Sequence, residues 1–130
     1  MPETTNVSHS EDFDVCVYCE PIQPIKAFEF EVEFNSTLME ANLVTQGSIF
    51  DGYSVFFNEG IIDNVNGTIK QVYGLTIGLF NTSDNGTLVS INFTSKCENG
   101  TSALEINGVG LTNETMYIPV YTRNGIVVVS

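Results

Sequence analysis

The residues able to do chemistry are few, and their spacing excludes most of it. His9 is the single histidine and lies in a polar N-terminal stretch. A Ser-His-Asp relay needs an imidazole held against its nucleophile, and a loose terminus does not hold one. A pair of carboxylates could hydrolyse glycosides. With 16 acids in the chain some pair is inevitable, so Glu29, Glu31 and Glu33 read as the wet face of a strand. No catalytic residue is assigned, and no enzyme is expected.

Cys16 and Cys19 form a C-x-x-C. In thioredoxin-like sites that motif opens a helix whose dipole lowers the thiol pKa; here it falls in a strand. Glu20 stands where haem attachment needs a histidine. Period two sends residues 16 and 19 to opposite faces, which disfavours one shared ion. A zinc site adding Cys97 and His9 remains an alternative to no metal. A Cys16–Cys19 bridge would need a bulge. The odd count of 3 leaves at least one thiol free or bonded to another molecule. Asp51, Asp63 and Asp84, with Asn64 and Asn66, offer the oxygen ligands that calcium takes. No spacing matches an EF-hand loop, and turn chemistry accounts for these residues.

A denser signal is glycosylation. Asn6, Asn35, Asn66, Asn81, Asn85, Asn92, Asn99 and Asn113 each carry Ser or Thr two residues on, with no Pro between. Chance at this Ser/Thr content supplies about two such sequons. Asn66, Asn85 and Asn99 open Asn-Gly-Thr, which is also hairpin chemistry. The other five remain in excess, and Asn92 lies mid-strand on an outward face. A glycosylated extracellular or cell-surface protein is expected.

Strands must position these groups. Phe28, Phe30, Val32 and Phe34 alternate with Glu29, Glu31 and Glu33; Val89, Ile91 and Phe93 alternate with Ser90, Asn92 and Thr94. Tyr73, Leu75, Ile77 and Leu79 alternate with Gly74, Thr76 and Gly78. Each run reads as a strand with one wet and one buried face. Ile126 to Val129 is apolar on both faces and fits a more central or covered strand. Asp51-Gly52, Asn66-Gly67, Asn85-Gly86, Asn99-Gly100, Asn107-Gly108 and Asn124-Gly125 supply turn signals at the spacing of a sandwich or barrel. Strands are expected near 11–19, 26–34, 41–46, 53–58, 68–79, 87–96, 101–111, 116–121 and 125–129. A helical turn fits only Ser36 to Ala41, capped by Ser36 or Asn35. Residues 1–10 read as a loose polar segment, and 11–130 as the domain.

Length and charge bound the rest. A chain of 130 residues is one domain's worth. Four Lys and Arg against 16 acids give a net charge of −12. Such a chain repels nucleic acid and anionic membranes and favours cationic partners, divalent metals or a salty medium. No stretch approaches the roughly 18 apolar residues of a membrane helix.

The ordered fragments also resemble a known family. Glu11-Asp12-Phe13-Asp14-Val15, Ala27 through Asn35, and Leu38-Met39-Glu40-Ala41 resemble the opening of a cohesin domain, with Asn35-Ser36 in place of the usual Asp-Pro. Val44-Thr45-Gln46-Gly47, Phe56-Phe57-Asn58, Gly60 to Asn64, Gly67-Thr68-Ile69, Gly86 to Val89 and Asn124 to Val129 continue the likeness over roughly residues 11–130. It is similar in particular to non-cellulosomal, archaeal-type cohesins.

The resemblance implies a nine-stranded jelly-roll-like sandwich that binds dockerins, which are small calcium-loaded helical modules. It places the family's first strand before Pro2-Glu3-Thr4-Thr5, so that strand is expected to be largely missing. Gly125 to Val129 would then be an open edge, available to a second copy or to a segment outside this chain. It makes the sheet of 26–34, 53–58, 68–79 and 101–111 the partner-binding one, with Glu29, Glu31, Glu33, Lys70, Val72, Thr76, Glu105 and Asn107 outward. Glu29 aligns with an acidic position that contacts dockerin in some members; Ala27 stands where those members have Asn. The strands like 11–19 and 87–96 are antiparallel neighbours in the family, which sets Cys19 and Cys97 at opposite ends, beyond the roughly 7 Å a disulfide spans. No outward mid-strand position of the binding sheet carries a sequon on this reading. No intrinsic cofactor is implied, and calcium is expected in the dockerin-like partner. The leading function is binding of a dockerin-like or other basic-surfaced protein through the acidic sheet face. The alternative is a carbohydrate-binding or adhesin module, for which Tyr18, Tyr53, Tyr117 and Tyr121 would be the stacking rings.

Overall fold

The alternating runs become strands in the computed structural model, which describes residues 1–130 except Ile22, Leu79, Phe80, Glu114 and Thr115. In chain order these are β1 (Thr4–Val7), β2 (Asp12–Cys19), β3 (Ala27–Glu33), β4 (Met39–Gln46), β5 (Val55–Asn58) and β6 (Ile61–Asp63). Then follow β7 (Thr68–Thr76), β8 (Gly86–Ser95), β9 (Gly100–Thr112), β10 (Tyr117–Ile118) and β11 (Gly125–Val129). Among the described residues, eight strands form a large sheet in the order β1-β11-β9-β3-β7-β5, with β10 beside β9 and β6 beside β7. The small sheet is β2-β8-β4. The expected all-β sandwich is the observed one.

The two sheets bury their apolar faces against each other. Phe28, Phe30 and Val32 of β3 meet Val89, Ile91 and Phe93 of β8 in one continuous core with Ile69, Val72 and Leu104. Phe93 stacks on Phe13 at 5.6 Å and meets Phe34 edge-on at 5.4 Å. Phe28 stacks on Phe50 at 5.9 Å. Every buried side-chain polar atom among the described residues has a hydrogen-bond partner.

The helical turn shrinks to one turn after β3. The Asn35 side chain accepts the Thr37 N–H at 2.9 Å, and its carbonyl accepts from Leu38 and Met39. β4 then starts at Met39, earlier than its alternation suggests. The stretch expected as a strand over 116–121 pairs only at Tyr117–Ile118.

The N-terminal segment is corrected. Residues 1–10 are not all loose, and the first strand is not missing. β1 runs parallel to β11, with Thr4 opposite Ile126 and Val7 opposite Val129. Gly125 makes room for this approach, since a Cβ there would lie 2.5 Å from the Pro2 carbonyl oxygen. β1 escapes a sequence reading because four residues with one buried apolar side chain, Val7, carry no visible period. β11 therefore has β1 on one edge and β9 on the other. The open Gly125–Val129 edge, expected to be filled by a second copy or an outside segment, is filled within the chain. β11 is central in its sheet, but only one of its apolar faces is covered, with Val127 and Val129 buried and Ile126 exposed.

Candidate partner-binding face

β3 is the axis of the outer face of the large sheet, and both neighbours bulge against it. Lys70 and Gln71 of β7 share one place, between the pairs Phe30–Val72 and Val32–Ile69. Gly108 and Val109 of β9 do the same between Glu29–Gly110 and Glu31–Asn107. Each bulge has a left-handed residue, Gln71 and Gly108, both at φ 60°. Asn58 steadies the first by donating its side-chain N–H to the Gln71 carbonyl at 2.7 Å.

An extra residue reverses which side chains face out. This corrects the expected site. Val72 and Thr76 are not outward; they are 0% and 1% exposed. The Thr76 hydroxyl instead lies 3.3 Å from the Lys26 ammonium. Tyr73, Leu75 and Ile77, expected inward, turn to the outer face, and Leu79 lies outside the described residues. Glu29, Glu33, Lys70 and Glu105 are exposed, while Glu31 and Asn107 are half-buried opposite each other on the same face.

The register sorts this face into rows. Tyr73, Glu29 and Gly110 lie side by side, as do Phe56, Leu75, Ala27, Thr112 and Tyr117. These rows form an aromatic half, in which Phe56 stacks on Tyr73 at 6.0 Å. Beyond the bulges comes an acidic half, where Glu31 faces Asn107 and Glu33 faces Glu105. Phe56, Tyr73, Leu75 and Tyr117 are the face residues the expected site omits. Of these, the sequence points only Tyr117 toward binding, as a sugar-stacking ring.

Charge on this face is poorly compensated. Glu33 and Glu105 are like charges directly across a strand pair, which is destabilising. Two of the four cations are engaged elsewhere: Lys26 donates to the carbonyls of Thr76 and Gly78, and Lys96 to that of Ser36 at 2.7 Å. The Tyr117 hydroxyl donates to Glu29 Oε1 at 3.1 Å. That bond and the carboxylate's charge hold the phenol above its ordinary pKa.

The cohesin domain family matches residues 2–128 of this sequence. The chain belongs to the cohesin domain family. Solved structures agree in fold. A chain of a type I cohesin–dockerin complex from Clostridium thermocellum superposes with a TM-score of 0.79 at 16% identity, covering 98% of this chain and 95% of that one. The cohesin CaCohA2 from Clostridium acetobutylicum gives 0.75 at 18% identity, with 98% and 87% covered. A non-cellulosomal cohesin from the archaeon Archaeoglobus fulgidus gives 0.74 at 17% identity, with 98% and 86% covered. No curated protein matches the sequence.

The sequons of this cohesin lie mostly off the central face. Asn35, Asn66 and Asn99 fall in or beside the turns after β3, β6 and β8, and Asn81, Asn85 and Asn113 in connections at the other end. Asn92 is on the small sheet, its amide donating to Asp14 at 2.9 Å while its oxygen accepts from Asn42. Asn6 corrects the expected pattern, since β1 carries it mid-strand in the large sheet, outward and opposite Val128. It stands three strands from β3, roughly 14 Å across the sheet.

Chemistry elsewhere is sparse. His9 Nε2 bonds the Asn99 side chain, and Ser10 meets the Cys97 sulfur at 3.3 Å. All three thiols are free: Cys16 and Cys97 exposed, Cys19 buried. Burial, then the nearby Glu20 carboxylate, push the Cys19 thiol up. Asp63 caps its turn by accepting from Val65 N, Asn66 N and Asn66 Nδ2 at 2.8 to 3.0 Å. Among the described residues no group of three or more His, Cys, Asp or Glu could hold a metal. No helix among them is long and apolar enough to cross a membrane.

Proposed function

We infer that this cohesin is an extracellular docking module whose outer large-sheet face binds a calcium-loaded dockerin-like protein, or another protein with a basic surface. One observation carries the reading: Glu29, Glu31, Glu33 and Glu105 share a face with an exposed aromatic band, and Glu33 stands opposite Glu105. A partner with cations over the acidic half and at Glu29, and apolar surface over the rest of the aromatic half, would relieve the repulsion and remove apolar surface from water. The eight sequons support an extracellular, glycosylated setting, with the glycans on Asn35, Asn66, Asn81, Asn85, Asn92, Asn99 and Asn113 clear of β3 and that on Asn6 at the far edge. Calcium belongs to the partner.

The test is calorimetric titration with each calcium-loaded dockerin module encoded in the same genome. One-to-one binding that fails in EDTA is expected. The Glu29→Lys/Glu31→Lys double variant should weaken it and flatten its salt dependence. Unchanged affinity in that variant would show the face to be wrong.

A second reading, polysaccharide binding, is favoured by the outward rings of Phe56, Tyr73 and Tyr117, which could stack on sugars. Strong hits on a glycan array, lost in Tyr73→Ala, would put it first.

A further inference from the structure

Tyr117 and Tyr73 stand on either side of β3, and the space between them is bounded in a particular way. A hollow of about 190 Å³ is lined by Ala27, Glu29, Tyr73, Leu75, Gly110 and Tyr117, among others. One wall is Tyr73, backed by Phe56 stacked at 6.0 Å. The other is Tyr117, whose ring leans back over β9. Gly110 permits this, because a Cβ there would come within 2.8 Å of both Tyr117 Cε1 and Glu29 Oε1. Ala27 keeps the floor low. Two strand spacings, roughly 9–10 Å, separate the backbones of β7 and β9 beneath the walls. At one end sits the Glu29 carboxylate, oriented by the Tyr117 hydroxyl at Oε1. A carboxylate has about four acceptor sites, so acceptor capacity remains.

We propose that this slot takes one cationic side chain of the partner, a Lys or Arg, with its stem between the two tyrosine rings and its charged head on Glu29. The chemistry fits a cation better than a sugar or a purely apolar group. Ring faces attract a cation, and the fixed carboxylate adds a charge-assisted hydrogen bond. A wholly apolar anchor would partly desolvate the Glu29 charge and leave its remaining acceptor sites unfilled. Tyr117 then acts both as a wall and as the residue that positions Glu29. This inference rests on the reading of the face as a docking surface.

The probe is Nα-acetyl-arginine methylamide, titrated into the ¹⁵N-labelled protein and followed by amide chemical shifts. Saturable shifts confined to Ala27, Glu29, Tyr73, Gly110 and Tyr117 are expected. Tyr73→Leu should weaken binding roughly two- to fivefold, and Glu29→Gln by roughly threefold or more. Tyr117→Phe keeps the wall, so it should weaken binding less than Tyr117→Leu. Three results would overturn the slot: equal binding of the norleucine analogue, saturation of the same amides by cellobiose, or arginine-induced shifts scattered over the acidic surface. Dockerin binding with a silent slot removes only the slot. A working slot with no dockerin bound removes the wider reading.

Discussion

Val72→Ala separates the bulged strand from a regular one. Without the Lys70–Gln71 bulge, Val72 would point to solvent beside Lys70, and its truncation would change stability by less than about 0.5 kcal/mol. In the bulged strand Val72 is 0% exposed, within the main core. Losing two buried methyl groups costs about 1.6 kcal/mol of transfer free energy. The cavity, on the order of 40 Å³, adds about 1 kcal/mol. The expected loss is about 2.5 kcal/mol. With a urea m-value of roughly 1.5 kcal/mol/M, the unfolding midpoint falls by roughly 1.7 M. Equilibrium urea unfolding, followed by far-UV circular dichroism, reads this directly. A shift below roughly 0.3 M with m unchanged would mean that Val72 faces out. The rows of the binding face would then be wrong from Gln71 onward.

Other consequences are independently measurable. Tyr117 should titrate above an ordinary phenol, first because its hydroxyl bonds Glu29 and then because of that carboxylate's charge. Its raised folded pKa means the contact is intact below the ordinary phenol range and fades as pH rises through the folded value; Glu29→Gln should bring the ultraviolet titration back toward normal. Asp63 should titrate below an ordinary carboxyl, held down first by the Asn66 backbone N–H, then by the Asn66 side chain and the Val65 N–H. Its contribution to the turn is present above the ordinary carboxylate range and disappears as pH falls through the depressed value, as carboxyl ¹³C shifts would record. In a thiol assay of the native protein Cys16 and Cys97 should react quickly and Cys19 only after unfolding; fast labelling of all three would contradict its burial. Gly52→Ala should cost about 1 kcal/mol, because φ is 87° but the space is open. Gly67→Ala should cost about 3 kcal/mol, because φ is 74° and its Cβ would lie 2.1 Å from the Phe34 carbonyl oxygen, disrupting the Phe34–Gly67 hydrogen bond.

Much of the fold is legible in the residues because alternation is a direct record of burial. β3 and β8 each alternate across a face, whereas β11, apolar on both faces in sequence, buries only Val127 and Val129 and leaves Ile126 exposed. Turn chemistry was legible in part. Gly52 and Gly67 do take positive φ in turns, whereas Gly86, Gly100 and Gly125 open strands. Asn107-Gly108 signals a hairpin but makes a bulge inside β9, since a left-handed glycine serves both purposes. The candidate site was less legible for the same reason. In β7 both registers, Tyr73/Leu75 and Val72/Thr76, are plausible as inner faces. What chooses between them is Gln71, an ordinary residue in a left-handed conformation that nothing in its type announces. β1 and β6 are too short and too mixed to show a period. Tyr117 lies in the two-residue strand β10, and the place of its ring over Gly110 follows from tertiary packing alone.

The central claim is that the outer face of β3, β5, β7 and β9 binds a protein partner. Its most direct measurement is amide chemical-shift mapping of the labelled cohesin saturated with a calcium-loaded dockerin encoded in the same genome. Perturbations should gather on Glu29, Glu31, Glu33, Phe56, Lys70, Tyr73, Leu75, Glu105 and Tyr117, leaving β2, β4 and β8 unmoved. Shifts centred on the small sheet, or no calcium-dependent shifts with any such dockerin, would contradict it.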